Sequence, residues 1–255
     1  MNEQSNRSRE LERLERRREQ INRRLDEHRA RINARLDQKQ AKLNGQLNLR
    51  QEQIIAAALK ILGSEGLSSL SLREIAKCLD MQAPTLYWHF KNKEDLVDYM
   101  AEAILQKEFK DLRPRQENET WQDWLMAHMG QLRKAMLAYP DGGRVVAGAH
   151  LYPAVTLARS FEYSLVSLTS AGVDLQTARY IVKTATNFTF GYVIEEQAAP
   201  TEEQLADLDL EEIFRLYPNM ARAMQDAKIK RKDDDEDFII GLRYIIAGSV
   251  NPILS

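Results

Sequence analysis

The stretch from Ser71 to Lys93, SLREIAKCLDMQAPTLYWHFKNK, gathers side chains suited to touching nucleic acid. Thr85 offers a hydroxyl and a methyl to a base edge or a phosphate, and Tyr87, Trp88 and His89 follow it within a turn. Leu72, Ile75, Ala76 and Leu79 recur at helical spacing, so the segment before them is a short helix with one apolar face. Ser71, followed three residues later by Glu74, is a capping box that fixes where this helix starts. Asp80 to Ala83 turn the chain, and Pro84 suits the first position of a second helix, where its missing N–H costs nothing. That second helix, 84 to about 90, carries the polar and aromatic residues. Helix, tight turn and helix together predict a helix-turn-helix, whose second helix lies in the DNA major groove. Gln82, Ala83 and Pro84 then stand where the chain enters the groove. For Tyr87 and Trp88 the competing reading is core packing, with part of each ring turned inward.

The elements that must position this motif are also helical. Gly and Pro are sparse among the 255 residues and cluster between periodic segments, which predicts an all-α chain long enough for two domains. Residues 50–62 form the preceding helix, with Gly63 and Gly66 ending it. Asn92 caps the next helix, with Glu94 and Asp95 in its first turn, and that helix is expected to run to about Leu112. Further helices are expected at about 120–138, 153–171, 175–198 and 235–249, with breaks at 140–143 and Gly172. Segment 201–235 is acidic, then basic, then acidic, and is expected to hold one short helix and a mobile loop. No run of about eighteen apolar residues exists, so no membrane span is predicted. The polar, charged N-terminus is unlike a secretory signal, and Cys78 is the only cysteine, which fits a cytoplasmic protein. Cys78 is expected to be packed or inert. No nucleophile–base pair or metal cluster has catalytic spacing, so no enzyme is predicted.

Charge is divided unevenly. Residues 1–93 hold nineteen Lys/Arg against twelve Asp/Glu, while the whole chain is −2, leaving −9 on residues 94–255. A basic N-terminal part on an acidic body suits a protein that presents one end to phosphates. Three units follow: a basic helical extension over 1–47, a DNA-binding unit over 48–94 and a body over 95–255.

The extension repeats INRRLD, INARLD and LNGQLN, and Leu14, Ile21, Leu25, Ile32, Leu36, Leu43 and Leu47 alternate in steps of seven and four. An eleven-residue period favours straight or slightly right-handed helix packing. The apolar stripe is narrow and the other faces are rich in Arg, so the helix needs a partner. Three candidates stand: the same segment of a second copy as a coiled coil, which the pattern favours, another protein, or its own domain. Its basic face could also reach phosphates flanking the operator. Asn44-Gly45 and Asn48 weaken the helix before the DNA-binding unit, as a hinge would.

PTLYWHFKNK with SLREIAKCLDMQA resembles the DNA-binding domain of the tetracycline-repressor (TetR) family. The resemblance continues through TWQDWL (120–125), AYPDGGRVVAG (138–148) and NFTFGYVIEEQ (187–197), covering roughly residues 49 to 197. It implies that Arg73 reads a guanine and that Tyr87, Trp88, His89 and Lys93 hold the DNA backbone. It implies a homodimer on a palindromic double-stranded operator. The dimer would be paired through Ile181, Ala185, Phe188, Val193, Phe238, Ile239, Leu242, Ile245 and Ile246. It also implies a small-molecule effector that releases DNA through the helix after Asn92. Gln82 and Ala83 depart from the tetracycline repressors, so a different operator sequence is expected.

In the pocket the resemblance breaks where the family's drug–magnesium chelate is held. Val146 stands in place of the metal-binding histidine, and Phe109 replaces a second drug-contacting histidine. His128 replaces an asparagine and His150 an arginine, while Glu195 keeps a carboxylate. An apolar or aromatic effector is expected instead of magnesium-tetracycline. Its walls would come from Phe109, Leu132, Val146, Phe161, Tyr163, Phe188 and Tyr192, and its polar contacts from His128, His150, Asn187 and Glu195. His128, His150 and Glu195 have zinc-ligand chemistry, but their spacing is not a metal motif, so no metal or cofactor is assigned. The reading is a ligand-released transcriptional repressor. The alternative is an architectural DNA binder or partner-docking regulator dominated by the extension.

Overall fold

A computed structural model describes residues 49–110, 112–199, 210–223 and 234–250, with a subset of positions between 13 and 41 that includes all of 30–38. The described residues are all-α. The helices are α1 (within the extension, continuous over 30–38), α2 (Leu49–Glu65), α3 (Leu72–Cys78), α4 (Ala83–Leu86), α5 (Lys93–Glu108) and α6 (Trp121–Leu137). After them come α7 (Gly142–Ala147), α8 (Val155–Ser170), α9 (Leu175–Gln197), α10 (Leu210–Leu216), α11 (218–223) and α12 (Asp234–Val250).

Helices α2 to α4 pack as a small unit against the start of α5, and α5 then runs into the body. Ile54, Ala58 and Leu62 on α2, Ile75 on α3 and Leu86 on α4 are almost wholly buried and form this unit's share of a continuous apolar core. Both expected caps are present. Ser71 Oγ accepts the Glu74 N–H at 3.2 Å, and Asn92 Oδ1 accepts the Asp95 N–H at 2.7 Å. Between α3 and α4 the chain closes a Schellman turn. Met81 N bonds Ala76 O and Asp80 N bonds Lys77 O, with Asp80 at φ 51°, in the left-handed region that the turn requires.

Several boundaries differ from the sequence-based expectation, each for a local reason. Gly63 lies inside α2, and Gly66 alone ends it, at φ 78°. Helix α4 stops at Leu86, and 87–89 form turns instead of completing a helix to Phe90. Helix α5 ends at Glu108, because Phe109 leaves helical geometry (ψ 60°) to bury its ring in the body. The expected break at 140–143 is only two residues wide beyond Tyr139, since Gly142 already opens α7. A Cβ at Gly142 would stand 2.0 Å from Met136 O, so only glycine allows that approach. Cys78 is exposed, not packed. Of the 201–235 segment, α10 and α11 are described. The basic run 228–232 and five apolar positions of the repeat (14, 21, 25, 43 and 47) lie outside the described residues.

In the body, α6, α8, α9 and α12 pack together. Their most demanding contact is polar. Arg133 of α6 is buried and forms two hydrogen bonds to Glu196 of α9, Nε at 2.9 Å and Nη2 at 2.7 Å, while Nη1 bonds Asp235 of α12. Its guanidinium also lies 5.2 Å from the Phe238 ring centroid and 5.7 Å from that of Tyr192. The side chains of Glu196 and Asp235 are 25% and 63% exposed, so without Arg133 both carboxylates keep water, and the cost is that of the lost charged hydrogen bonds and ring contacts, about 2 kcal/mol. Arg133→Ala is therefore expected to lower unfolding free energy by about that amount, measured by urea denaturation at fixed protein concentration. Arg133→Lys, which keeps the charge without the fork, should recover part of it.

Candidate nucleic-acid interface and ligand pocket

Across α4 and the turns that follow it, two side chains carry most of the packing. Leu86 and Phe90 are fully buried, and Phe90 meets Tyr99 of α5 edge-on with centroids 5.5 Å apart. This anchoring turns the rest outward. Arg73, Gln82, Pro84 and Thr85 are exposed, Ala83 is half-buried, and Tyr87 and Trp88 are 59% and 88% exposed. The core-packing reading thus fails for both rings, and most plainly for Trp88. An indole left in water forgoes about 2 kcal/mol of burial, so this face lacks the apolar contact its composition would use. His89 is half-buried, and its carbonyl accepts from Gln51 Nε2 at 3.3 Å. Lys93 is also half-buried, and its ammonium donates to Leu67 O at 3.2 Å. Its first role is therefore to hold the loop between α2 and α3.

That loop also meets the body. Leu67 N donates to Asp141 Oδ2 at 2.9 Å, and Asp141 adopts φ 55°, in the left-handed region that Asp enters more readily than most residues with a Cβ. The turn carrying Asp141 is fastened to the end of α9. Gln197 Nε2 donates to Tyr139 O at 2.7 Å, and Gln197 Oε1 accepts from Gly143 N at 2.9 Å.

The eleven residues proposed for the pocket fall into separate groups, and one of them, Phe161, is half-buried against the apolar core. Phe109 and His128 come together, with ring centroids 5.1 Å apart, and His128 stacks on Trp124 at 4.4 Å with an interplanar angle of 16°. His128 Nε2 lies 2.8 Å from Ser160 Oγ of α8. Trp124 and Ser160 were missed in the sequence. Trp124 was readable, since it precedes His128 by four residues and so shares its helix face, whereas nothing local marks Ser160. Leu132, Val146 and Tyr163 are buried in the same apolar core. Phe188 and Tyr192 form a second cluster with Phe238, beside Arg133. Asn187 and Glu195 are exposed on α9 and share one stripe with Tyr180 and Gly191.

His150 is exposed and bound from outside the aromatic group. Its Nδ1 lies 2.9 Å from Asp98 Oδ2, and its backbone N–H donates to Asp98 Oδ1 at 3.0 Å. One turn along α5, Glu102 accepts from Thr156 N at 2.8 Å and Thr156 Oγ1 at 2.9 Å. Asp98 and Glu102 are both buried, so α5 grips the 150–156 segment through two carboxylates. His128 and His150 thus face different partners, and no group of three potential metal ligands occurs among the described residues.

Burial holds the His128 imidazole down at about 4, and the nearby Arg113 charge acts in the same direction. His128 is therefore neutral in the folded protein at pH 7. Because the unfolded imidazole titrates near its ordinary 6.5, the unfolded chain binds the extra proton between the two values. Stability must then fall as pH drops through this window. Unfolding free energy should decrease by about 2 kcal/mol more between pH 7 and pH 5 in the native chain than in His128→Phe. Parallel urea titrations at the two pH values check this.

The chain matches two family descriptions: "Bacterial regulatory proteins, tetR family" over residues 54–100, and "Tetracyclin repressor-like, C-terminal domain" over residues 113–251. It is 34% identical over 178 residues to the class E tetracycline repressor protein of Escherichia coli, covering 68% of this chain and 83% of that protein. Among solved structures it is similar to a variant tetracycline repressor of Acinetobacter baumannii in complex with minocycline. That likeness has 30% identity, a TM-score of 0.61, and coverage of 82% of this chain and 96% of the other. A possible TetR family regulator of Streptomyces coelicolor aligns with a TM-score of 0.67 and 29% identity, covering 78% of this chain and 97% of that one.

Proposed function

The chain belongs to the TetR family of transcriptional regulators, and from that premise we propose a dimeric repressor that a small apolar or aromatic effector releases from its operator. The observation that carries this reading is the outward face of α4. Two core anchors, Leu86 and Phe90, hold α4 and the turns after it, and Pro84, Thr85, Tyr87 and Trp88 stand outward, ready for a duplex. Arg73 supplies a fork suited to a guanine edge, and Tyr87 and Trp88 supply backbone contacts that fix register. Two half-sites require two copies. Of the residues expected at the dimer interface, Ile181, Ala185, Val193, Phe238, Leu242 and Ile246 are buried in the chain's own core. The apolar surface for the second copy is therefore formed by the exposed Leu175 and Tyr180 on α9 with Ile239, Ile240 and Tyr244 on α12. In such a dimer Asn187 and Glu195, which lie on the α9 stripe with Tyr180, face the partner and not His128.

Release works through α5. Its first turn is capped beside the DNA-binding helices, and its last residue leads into Phe109, a wall of the aromatic group. A planar effector inserted beside His128 displaces a ring from the stack of Trp124, His128 and Phe109, and so shifts the end of α5. Asp98 and Glu102 carry the shift to segment 150–156, and Asp141 carries movement of its turn to Leu67. A differential affinity of a few kcal/mol between the two states is enough to change operator occupancy substantially. Val146 is fully buried where the resemblance places the histidine that holds a drug–magnesium chelate. A magnesium-tetracycline complex, like the minocycline seen with the Acinetobacter relative, therefore lacks its imidazole here. The chemistry is recognition, with no catalytic step.

Selection of duplexes from a random pool should yield a palindrome. Arg73→Ala should lose about 10- to 100-fold in discrimination at one base pair of each half-site. Trp88→Ala should weaken all duplexes alike and leave the preferred sequence unchanged. A native chain that selects no sequence would refute the repressor reading.

A further inference from the structure

The extension meets the body at one place among the described residues. Over 30–38, Ile32, Asn33 and Leu36 are half-buried, while Arg31, Ala34, Arg35, Asp37 and Gln38 are exposed. A single face, spaced i and i+4, is therefore turned to a partner. That partner is the outer side of α8 in the same chain. Asp37 Oδ1 accepts from Arg159 Nη2 at 2.7 Å, and the Arg159 side chain is only 18% exposed. Ile32 and Asn33 share a cleft with Pro114, Glu162, Tyr163 and Val166. Burial raises the Tyr163 phenol above its ordinary value, Asp37 adding to the shift while Arg159 opposes it.

The contact is specific in charge but small. The cleft between the two surfaces leaves a cavity of about 10 Å³, room for no more than one water molecule. An interface with three half-buried side chains and one ion pair, its arginine covered and its aspartate exposed, can release without unfolding anything else. Helix α8 has a second face, and its Ser160 there holds His128. The helix that carries the polar contact of the aromatic group is thus covered from outside by the extension.

We propose that residues 30–38 are a reversible intramolecular strap on α8, and that its release loosens the α8 wall of the ligand pocket. The strap contact stands on its own geometry, and only the importance of the wall rests on the effector-pocket reading. Of the three partners open in the sequence, this selects the chain's own body.

Two measurements on the full-length chain test it, and neither needs DNA or an effector. With Cys78→Ser as background, Asn33→Cys and Val166→Cys place thiols on opposite sides of the cleft. Mild oxidation should give a disulfide within one chain, read as joined peptides at monomer mass. A covalent dimer would instead mean that the segment docks on a second copy, and no disulfide would mean that the contact does not form. Either result overturns the strap. Asp37→Arg should lower the intrachain yield about five-fold, and adding Arg159→Asp should restore it. The second measurement is amide exchange over 155–170. Ile32→Asp with Leu36→Asp should speed it about ten-fold, as expected for local opening, while unchanged exchange would overturn the loosened wall.

Discussion

Buried carboxylates need donors, and on α5 this requirement ties the two halves of the molecule together. Asp98 and Glu102 stand one turn apart on the helix that joins the DNA-binding unit to the body, each at most 8% exposed. Neither can be left unpaired without a cost of several kcal/mol. Across to segment 150–156 their donors are the backbone N–H groups and side chains of His150 and Thr156, and within α5 Gln106 Nε2 also donates to Glu102 at 2.7 Å. Segment 150–156 must therefore stay in register with α5, and α8, which begins at Val155, must follow. A hydrophobic contact would tolerate sliding. Two charged hydrogen-bond sets at fixed spacing do not, which is what a lever needs.

The other tie between the halves is small and strained. Asp141 accepts a single N–H from Leu67 while holding a left-handed backbone, and Gln197 fixes the turn on which it sits. A residue kept in a sparsely populated conformation persists only where its surroundings over-determine it. Here that arrangement lies where the DNA-binding unit leans on the body. In the release proposed above, the clamp on α5 would transmit displacement and the bond at Asp141 would set the resting pose.

Much of this was legible from local chemistry. Ser71 with Glu74 and Asn92 with Asp95 placed two helix starts correctly, because capping is a contract between residues three apart. Asp80 in the turn was also readable, since Asp tolerates the left-handed region. What was not legible involves groups distant in sequence. Asp98 and His150 are 52 residues apart, and nothing near either one announces the pair. Phe109 ends α5 before Leu112 because its ring is drawn into the body, a tertiary preference that overrides helix propensity. His128 was singled out through the family resemblance, yet its partner Ser160 and the exposure of Asn187 and Glu195 depend on how α8 and α9 are rotated. The extension's repeat showed a stripe that needs a partner, and the pattern alone did not say which.

A clamp on α5 that sets the positions of the DNA-reading helices can be tested from within the motif. Cys78, the single cysteine, is exposed on α3 of the motif, so one nitroxide per chain reports the separation of the two heads in a dimer. The deciding measurement is the distribution of distances between the two labels, by pulsed electron spin resonance, in the native dimer and in Asp98→Asn with Glu102→Gln. A clamp that sets these positions gives a narrow distribution for the native protein and a broadened, displaced one for the variant, with operator DNA restoring the narrow form. Identical distributions in the two proteins would contradict it.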